Sequence, residues 1–269
     1  MKIEPIKEGR QSLPKRYVRR LWRAIVEFEL LKPGDRILVG FSGGKDSAFL
    51  LYALSVIRNS GPIPFDLGAL TVDLGFDEPF DRDRLHEFCT RLDVPFNIEM
   101  TQISRAALSP ESKQNPCSLC AHLRRGAING FAKMQGYNKV ALAHHHDDAV
   151  VTFLMSIIYS GQIQTFSPAT YLSDTGLTVI RPLVYFREYE IQKAVALTGF
   201  EPLTSPCPVT KVNKRREISD LIRNLVRKDA SIYQKLSRAI RRDAVKELWP
   251  PVPSREQMRL LHLKLFGTL

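Results

Sequence analysis

The 269-residue sequence predicts an α/β fold: a doubly wound, mainly parallel five-stranded sheet with an N-terminal helix and a C-terminal helical appendage. Three observations predict it. Short apolar runs with strand character alternate with stretches of helical periodicity from Arg36 to Leu197. The first of these runs passes directly into a Ser-Gly-Gly turn and then a helix. No strand-like run follows Phe200.

Lys15 to Leu31 reads as an amphipathic helix, because Val18, Leu21, Trp22, Ile25 and Phe28 recur at helical spacing while Arg16, Arg19, Arg20 and Arg23 take much of the remaining surface. Pro33-Gly34 stops it. Arg36–Phe41 (RILVGF) is a buried strand, and Ala48–Ile57 the helix after it. Asp66–Val72 is the second strand, Arg82–Leu92 a helix and Pro95–Met100 the third strand. Ser118–Met134 is mainly helical. Lys139–Ala143 is the fourth strand, with a helix from about Asp147 to Tyr159. Thr178–Ile180 is a short fifth strand and Arg187–Leu197 a helix. The tail reads as helical, with Ile218, Leu221, Ile222 and Leu225 as its apolar stripe. The expected domains are a basic helical segment (1–35), a nucleotide-binding domain (36–200) and a basic helical region (201–269).

The chain holds 39 Lys+Arg against 28 Asp+Glu, a net charge of +11. The surplus is segregated: Met1–Arg36 carries +5, Ile37–Phe200 carries −2 and Glu201–Leu269 carries +8. Two basic ends around a near-neutral centre point to a polyanion as partner. Four cysteines in this length exclude a disulfide scaffold. No apolar run is long enough to span a membrane, and the first twenty residues lack the apolar stretch of a secretory signal. A cytoplasmic chain with reduced thiols and no membrane partner is expected.

Ser42-Gly43-Gly44-Lys45-Asp46-Ser47 follows the first strand, with a helix expected from Ser47. In a doubly wound sheet this is the carboxyl end of a strand, where ligands bind. Gly43 and Gly44 allow a tight turn and close approach of the backbone to an anion. The N–H groups of the turn and helix start, the hydroxyls of Ser42 and Ser47 and the ammonium of Lys45 then suit nucleotide phosphates. The string is neither the Walker pattern nor Gly-x-Gly-x-x-Gly.

Cys117 and Cys120 form a Cys-x-x-Cys pair in PCSLC, and Cys207 follows in SPCPVT. Cys89, in the amphipathic HEFCTRL stretch, fits a helix core. The redox position after the first strand is taken by the phosphate loop, so a metal clip is favoured. Cys117, Cys120 and Cys207 suit either zinc, with His122 as fourth ligand, or a [4Fe–4S] cluster with one open iron. Spacing does not choose between them.

The loop resembles that of the PP-loop ATP pyrophosphatases, and the wider pattern resembles their tRNA 2-thiocytidine synthetase branch. The matching parts, from the Lys15 helix to about Asp220, include GDRILVGFSGGKDS, PCSLCAHLRRG, ALAHHHDD and VIRPLVYFREYEI. The resemblance implies ATP, Mg²⁺ and a [4Fe–4S] cluster on Cys117, Cys120 and Cys207, tRNA as substrate, and sulfur attachment at C2 of cytidine 32. It implies a base and ribose near Gly40, Phe41, Val72, Asp73 and Leu74, and family members are commonly homodimers. The sulfur donor, a cysteine desulfurase or free sulfide, is left open. PVTKVNKRREIS after Cys207 and the tail after Trp249 depart from the best-known members.

A C2 carbonyl oxygen leaves poorly, and adenylation turns it into AMP, which leaves well. Lys45, the loop amides and Mg²⁺ would neutralise the phosphates. Asp46 either helps to hold Mg²⁺ or caps the helix. In His144-His145-His146-Asp147-Asp148, His145 and Asp147 are the favoured ligands of Mg²⁺ or water, against a plain helix-dipole role. Arg181 binds phosphate or pairs with a surface carboxylate. Arg124 and Arg125, and Lys211, Lys214, Arg215 and Arg216, are the basic clusters next to the cysteines that suit RNA phosphates. Two other readings are a PP-loop enzyme in which an amine attacks the adenylate, lysidine-fashion, with a structural zinc, and an RNA-binding protein without catalysis.

Overall fold

The computed structural model describes residues 11–77, 81–109, 115–204, 206–211, 214–241 and 253–266. The chain divides into a compact unit, Met1–Asn224, and a second, Leu225–Leu269. In the first unit, α1 (Lys15–Glu27) precedes β1 (Asp35–Gly40), α2 (Lys45–Ser60), β2 (Phe65–Asp73), α3 (Arg82–Arg91), β3 (Phe96–Met100) and α4 (Ile103–Leu108). Then come α5 (Pro116–Met134), β4 (Lys139–Ala141), α6 (His146–Ser160), β5 (Ala169–Leu172), β6 (Leu177–Ile180) and α7 (Glu188–Ala194). Helix α8 (Lys214–Lys228) crosses into the second unit, which holds α9 (Ser231–Ala239) and α10 (Arg255–Phe266).

The sheet has six strands in the order β3-β2-β1-β4-β6-β5, all parallel except the β5–β6 pair. The five-strand expectation is corrected by β5. This four-residue edge strand has no buried residue, and Tyr171 on it is exposed, so it carries no apolar run to betray it. It turns back onto β6 through Gly176, whose φ of +73° suits glycine. The short α4 was not expected either, and α2 starts at Lys45 rather than Ser47.

Period-two alternation sorts the strands' side chains into two layers. Ile37, Val39 and Phe41 lie in one core with α1, α2, α3 and α7, while Leu38, Leu70, Val140 and Val179 face Ile128, Phe131 and Ala132 of α5. Helix α2 is central: every residue from Ser47 to Ile57 is buried. Helix α1 buries Tyr17, Leu21, Ala24 and Ile25 in the same core, with Tyr17 against Phe49 and Phe186. Part of its basic face is engaged within the fold, Arg20 pairing with Glu190 and Arg23 lying 4.3 Å over the Tyr185 ring. Cys89 is buried among apolar side chains, and that burial pushes its thiol up to about 12.

At the amino ends of β1 and β4, buried Asp35 accepts from Lys139 Nζ at 2.7 Å and from Asn138 Nδ2 at 2.9 Å, and Lys139 also donates to the Leu30 carbonyl at 2.7 Å. This satisfied pair fixes one alignment of the two central strands, with Ile37 opposite Lys139. The same register brings the carboxyl ends of β1 and β4 side by side. There the winding direction reverses, since β2 and β3 extend the sheet one way and β6 the other.

Candidate active site

A cavity of about 630 Å³ opens at that reversal point. One wall is the turn after β1, with Ser42, Gly44, Asp46 and Ser47 among its lining. Gly43 has φ +73°, and a Cβ there would lie 3.0 Å from Leu203 Cδ1 and 3.1 Å from Leu85 Cδ2. Gly44 is the N-cap of α2, so Lys45, Asp46 and Ser47 form its first turn. Ser47 Oγ closes the turn: it donates to the Gly44 carbonyl at 3.0 Å, accepts from the Ser42 N–H at 3.2 Å and lies 3.1 Å from Ser42 Oγ. Such a turn presents N–H groups and hydroxyls to an anion.

Lys45 is not in the cavity wall. Its ammonium sits 2.9 Å from Asp46 and 3.3 Å from Glu188. Burial disfavours its charge, but the two carboxylates outweigh that and hold its pKa above the ordinary value. Asp147, also outside the wall, accepts from Arg187 Nε at 3.0 Å and from the Glu188 N–H at 2.8 Å. It thereby anchors the start of α7, which carries the Glu188 that holds Lys45. His145 is buried as the N-cap of α6: its Nδ1 accepts from the Asp148 N–H at 3.4 Å, and the Asp148 carboxylate accepts from its N–H at 2.9 Å.

The cavity is instead lined by the neighbours His144 and Asp148. Asp148 pairs with Arg215 of α8. Burial works against its charge, yet His145 and Arg215 hold its carboxyl below the usual range. His144 stacks near Phe166, with centroids 5.1 Å apart, and its Nδ1 accepts from Arg181 Nε at 3.3 Å. Burial lowers its pKa to about 4. The folded state therefore favours neutral His144, and the resulting stability is full above pH 6.5 and falls as the pH drops from about 6.5 toward 4. The urea midpoint of the wild type is expected to decline over that window more than that of His144→Gln, and the two curves are expected to run parallel above pH 7.

On the far wall, Val72, Asp73 and Leu74 at the end of β2 line the cavity with Gly40 and Phe41. Asp73 accepts from the Gly75 N–H at 2.9 Å and pairs with Arg82 at 3.1 Å. The cysteines border the remaining side. Cys117 and Cys120 lie in the first turns of α5, whose N-cap Asn115 accepts from the N–H groups of Cys117 and Ser118. Ala121, next to Cys120, and Pro206, next to Cys207, both line the cavity. Burial raises the Cys120 thiol, Arg124 pulls it down, and Cys207 and Cys117 push it up again, so the three sulfurs share one electrostatic environment. None is in a disulfide. Among the described residues, no three His, Cys, Asp or Glu side chains are grouped to hold a single metal ion. In a [4Fe–4S] cluster each ligated iron takes its own thiolate, so its cysteines stand further apart than the ligands of one ion, and three soft thiols outside any disulfide at a cavity edge fit that group.

Residues 15–229 match the model of the PP-loop domain. The chain belongs to the PP-loop family. Within it, the chain is 37% identical over 224 residues to the tRNA-cytidine(32) 2-sulfurtransferase of Pelobacter propionicus, covering 81% of this chain and 82% of that one. It is 35% identical over 238 residues to the enzyme of the same name from Geotalea daltonii, covering 85% and 92%. In fold, the PP-loop chain is similar to the U34-tRNA thiolase NcsA of Methanococcus maripaludis, solved with its [4Fe–4S] cluster: TM-score 0.69 at 22% identity, covering 94% of this chain and 89% of that one. The sequence had signalled the PP-loop turn, the histidine-aspartate run and the cysteines. It had favoured His145 and Asp147, whereas the cavity wall holds their neighbours His144 and Asp148, and nothing in FREYE marked Glu188 as the partner of Lys45. Among the described residues, no helix is long and apolar enough to cross a membrane.

Proposed function

We propose that this chain is a cytoplasmic, ATP-dependent tRNA sulfurtransferase that converts a cytidine, C32 of the anticodon loop, into 2-thiocytidine. The observation that carries the reading is the shared cavity: the phosphate loop lines one side and the residues adjoining Cys120 and Cys207 line the other. Relatives at 35–37% identity named for that reaction support it.

The chemistry has two parts. The C2 carbonyl oxygen attacks the α-phosphorus of ATP and pyrophosphate leaves, giving an O-adenylated base. A sulfur nucleophile then adds at C2 and AMP departs with the former carbonyl oxygen. The turn amides, Ser42 and Ser47 bind phosphate oxygens, and Lys45, released from Asp46 or Glu188, neutralises charge that grows on the pyrophosphate. Asp46 and Asp148, the wall carboxylates nearest the loop and the β4 end, would hold Mg²⁺. Cys117, Cys120 and Cys207 would hold the [4Fe–4S] cluster, which supplies an open iron position for sulfide. His144 is held neutral by burial and so adds no positive charge to the cavity wall.

Mass spectrometry of tRNA nucleosides from a deletion strain tests the reading. Loss of 2-thiocytidine, restored by the wild-type gene, is expected. Persistence of 2-thiocytidine with loss of another thiolated base would move the target, and loss of an amine-modified base would move the chemistry to lysidine-type ligation.

A further inference from the structure

Charge in the cavity wall is unevenly partnered. Its carboxylates all have a basic partner: Asp46 has Lys45, Asp73 has Arg82 and Asp148 has Arg215. Arg124, Arg125 and Arg181 line the same cavity, and among the described residues none of them forms an ion pair with a carboxylate. Arg181 is held in place by neutral groups only. Its Nε donates to His144, its Nη1 donates to the Ser167 carbonyl at 2.6 Å and to Thr170 Oγ1 at 3.2 Å, and its guanidinium lies 5.0 Å over the Phe166 ring. Nη2 has no hydrogen bond among the described residues. Burial, with Arg125 nearby, pulls its pKa down to about 10. A fixed, partly desolvated guanidinium without a counter-charge is costly unless an anion arrives to pair with it.

The position says which anion. Arg181 follows β6, two strands along the sheet from the phosphate loop after β1, a separation of about 10 Å. It lies on the opposite side of that loop from the β2 end, where Val72, Asp73 and Leu74 form the wall. A nucleotide that runs from the β2 end to the loop leaves the β6 end free. Arg125, one helical turn beyond Cys120–Ala121, braces itself by donating from Nε to the Ala121 carbonyl at 3.1 Å.

We propose that Arg125 and Arg181 form a second phosphate subsite, separate from the phosphate loop, that holds a backbone phosphate of the RNA beside the nucleotide to be modified. This rests on the reading of the chain as a tRNA-modifying enzyme. Planar guanidinium groups suit bidentate binding of phosphate, and two of them would seat the strand between the loop and the cysteines without reading its sequence.

The test measures binding of an anticodon stem-loop RNA and, separately, of ATP to the full chain as wild type, Arg125→Ala and Arg181→Gln. Each variant is expected to weaken RNA binding roughly tenfold and to lower its salt slope by about one, with ATP affinity unchanged. Unchanged RNA affinity in both variants overturns the proposal. A loss of ATP affinity as large as the loss of RNA affinity also overturns it, because the subsite then belongs to the triphosphate. Arg125 is exposed on its helix, so Arg125→Ala keeps the test valid if Arg181→Gln unfolds. Thiolation is assayed apart: a wild type that binds RNA but makes no thiolated base sinks the enzyme reading and leaves the subsite comparison standing.

Discussion

Cys120→Ala is expected to abolish 2-thiocytidine formation while ATP binds as in the wild type. Cys120 is half-buried in the first turns of α5, and its sulfur interacts with those of both Cys117 and Cys207. Its loss leaves a pair of thiols, too few to hold a cluster with one open iron. Its side chain is not part of the cavity wall, which separates the loss of sulfur transfer from any loss of nucleotide binding. Anaerobically prepared protein is expected to fall from about four irons per chain to a small fraction of that. Cys89→Ala is the control, because that thiol is buried in the core and pushed up to about 12, out of reach as a ligand or nucleophile. Thiolation by Cys120→Ala at the wild-type rate would remove the trio from the mechanism and revive the amine-ligation reading.

The second large effect is expected at the phosphate loop. Lys45→Ala should lower kcat for adenylation by roughly 10²–10³, the usual loss when one preorganised charge at a developing oxyanion is removed. The ammonium is charged throughout the working range, since Asp46 and Glu188 hold its pKa above the ordinary value. It stands at the first position of α2, beside the N–H groups that would cradle the same phosphates. Glu188→Gln is expected to do much less, because it removes a holder of Lys45 and leaves the charge. Pyrophosphate release in single-turnover assays with tRNA reads both variants. Equal rates for Lys45→Ala and wild type would show that this ammonium stays with its carboxylates and serves only the fold.

The charge that first suggested a polyanion is partly internal. Arg20 of α1 is spent on Glu190, Arg23 packs over Tyr185, and Arg215 of α8 pairs with Asp148 at the cavity. A count of basic residues at the chain ends therefore overstates what remains for RNA, while Arg124, Arg125 and Arg181, which form no ion pair among the described residues, line the cavity from the acidic centre of the sequence.

Strands, helices and the phosphate turn were legible because they are local: period-two and helical patterning fix Ile37–Phe41 and Ser47–Ile57, and Ser-Gly-Gly fixes the turn between them. The edge strand β5 was not, since a half-exposed hairpin strand buries too little to leave a pattern. Which of two adjacent residues faces the cavity was not legible either. Asp147 and Asp148 differ by 100° around α6, and that angle sends one to Arg187 and the α7 start and the other into the cavity. The sequence by itself determined the chemistry on offer: a phosphate loop, three spare thiols and basic clusters beside them. Only the tertiary structure decided how these meet, because the pairing of β1 with β4 joins segments about a hundred residues apart, and only contacts across that distance settle which charges are paired and which, like that of Arg181, form no ion pair among the described residues.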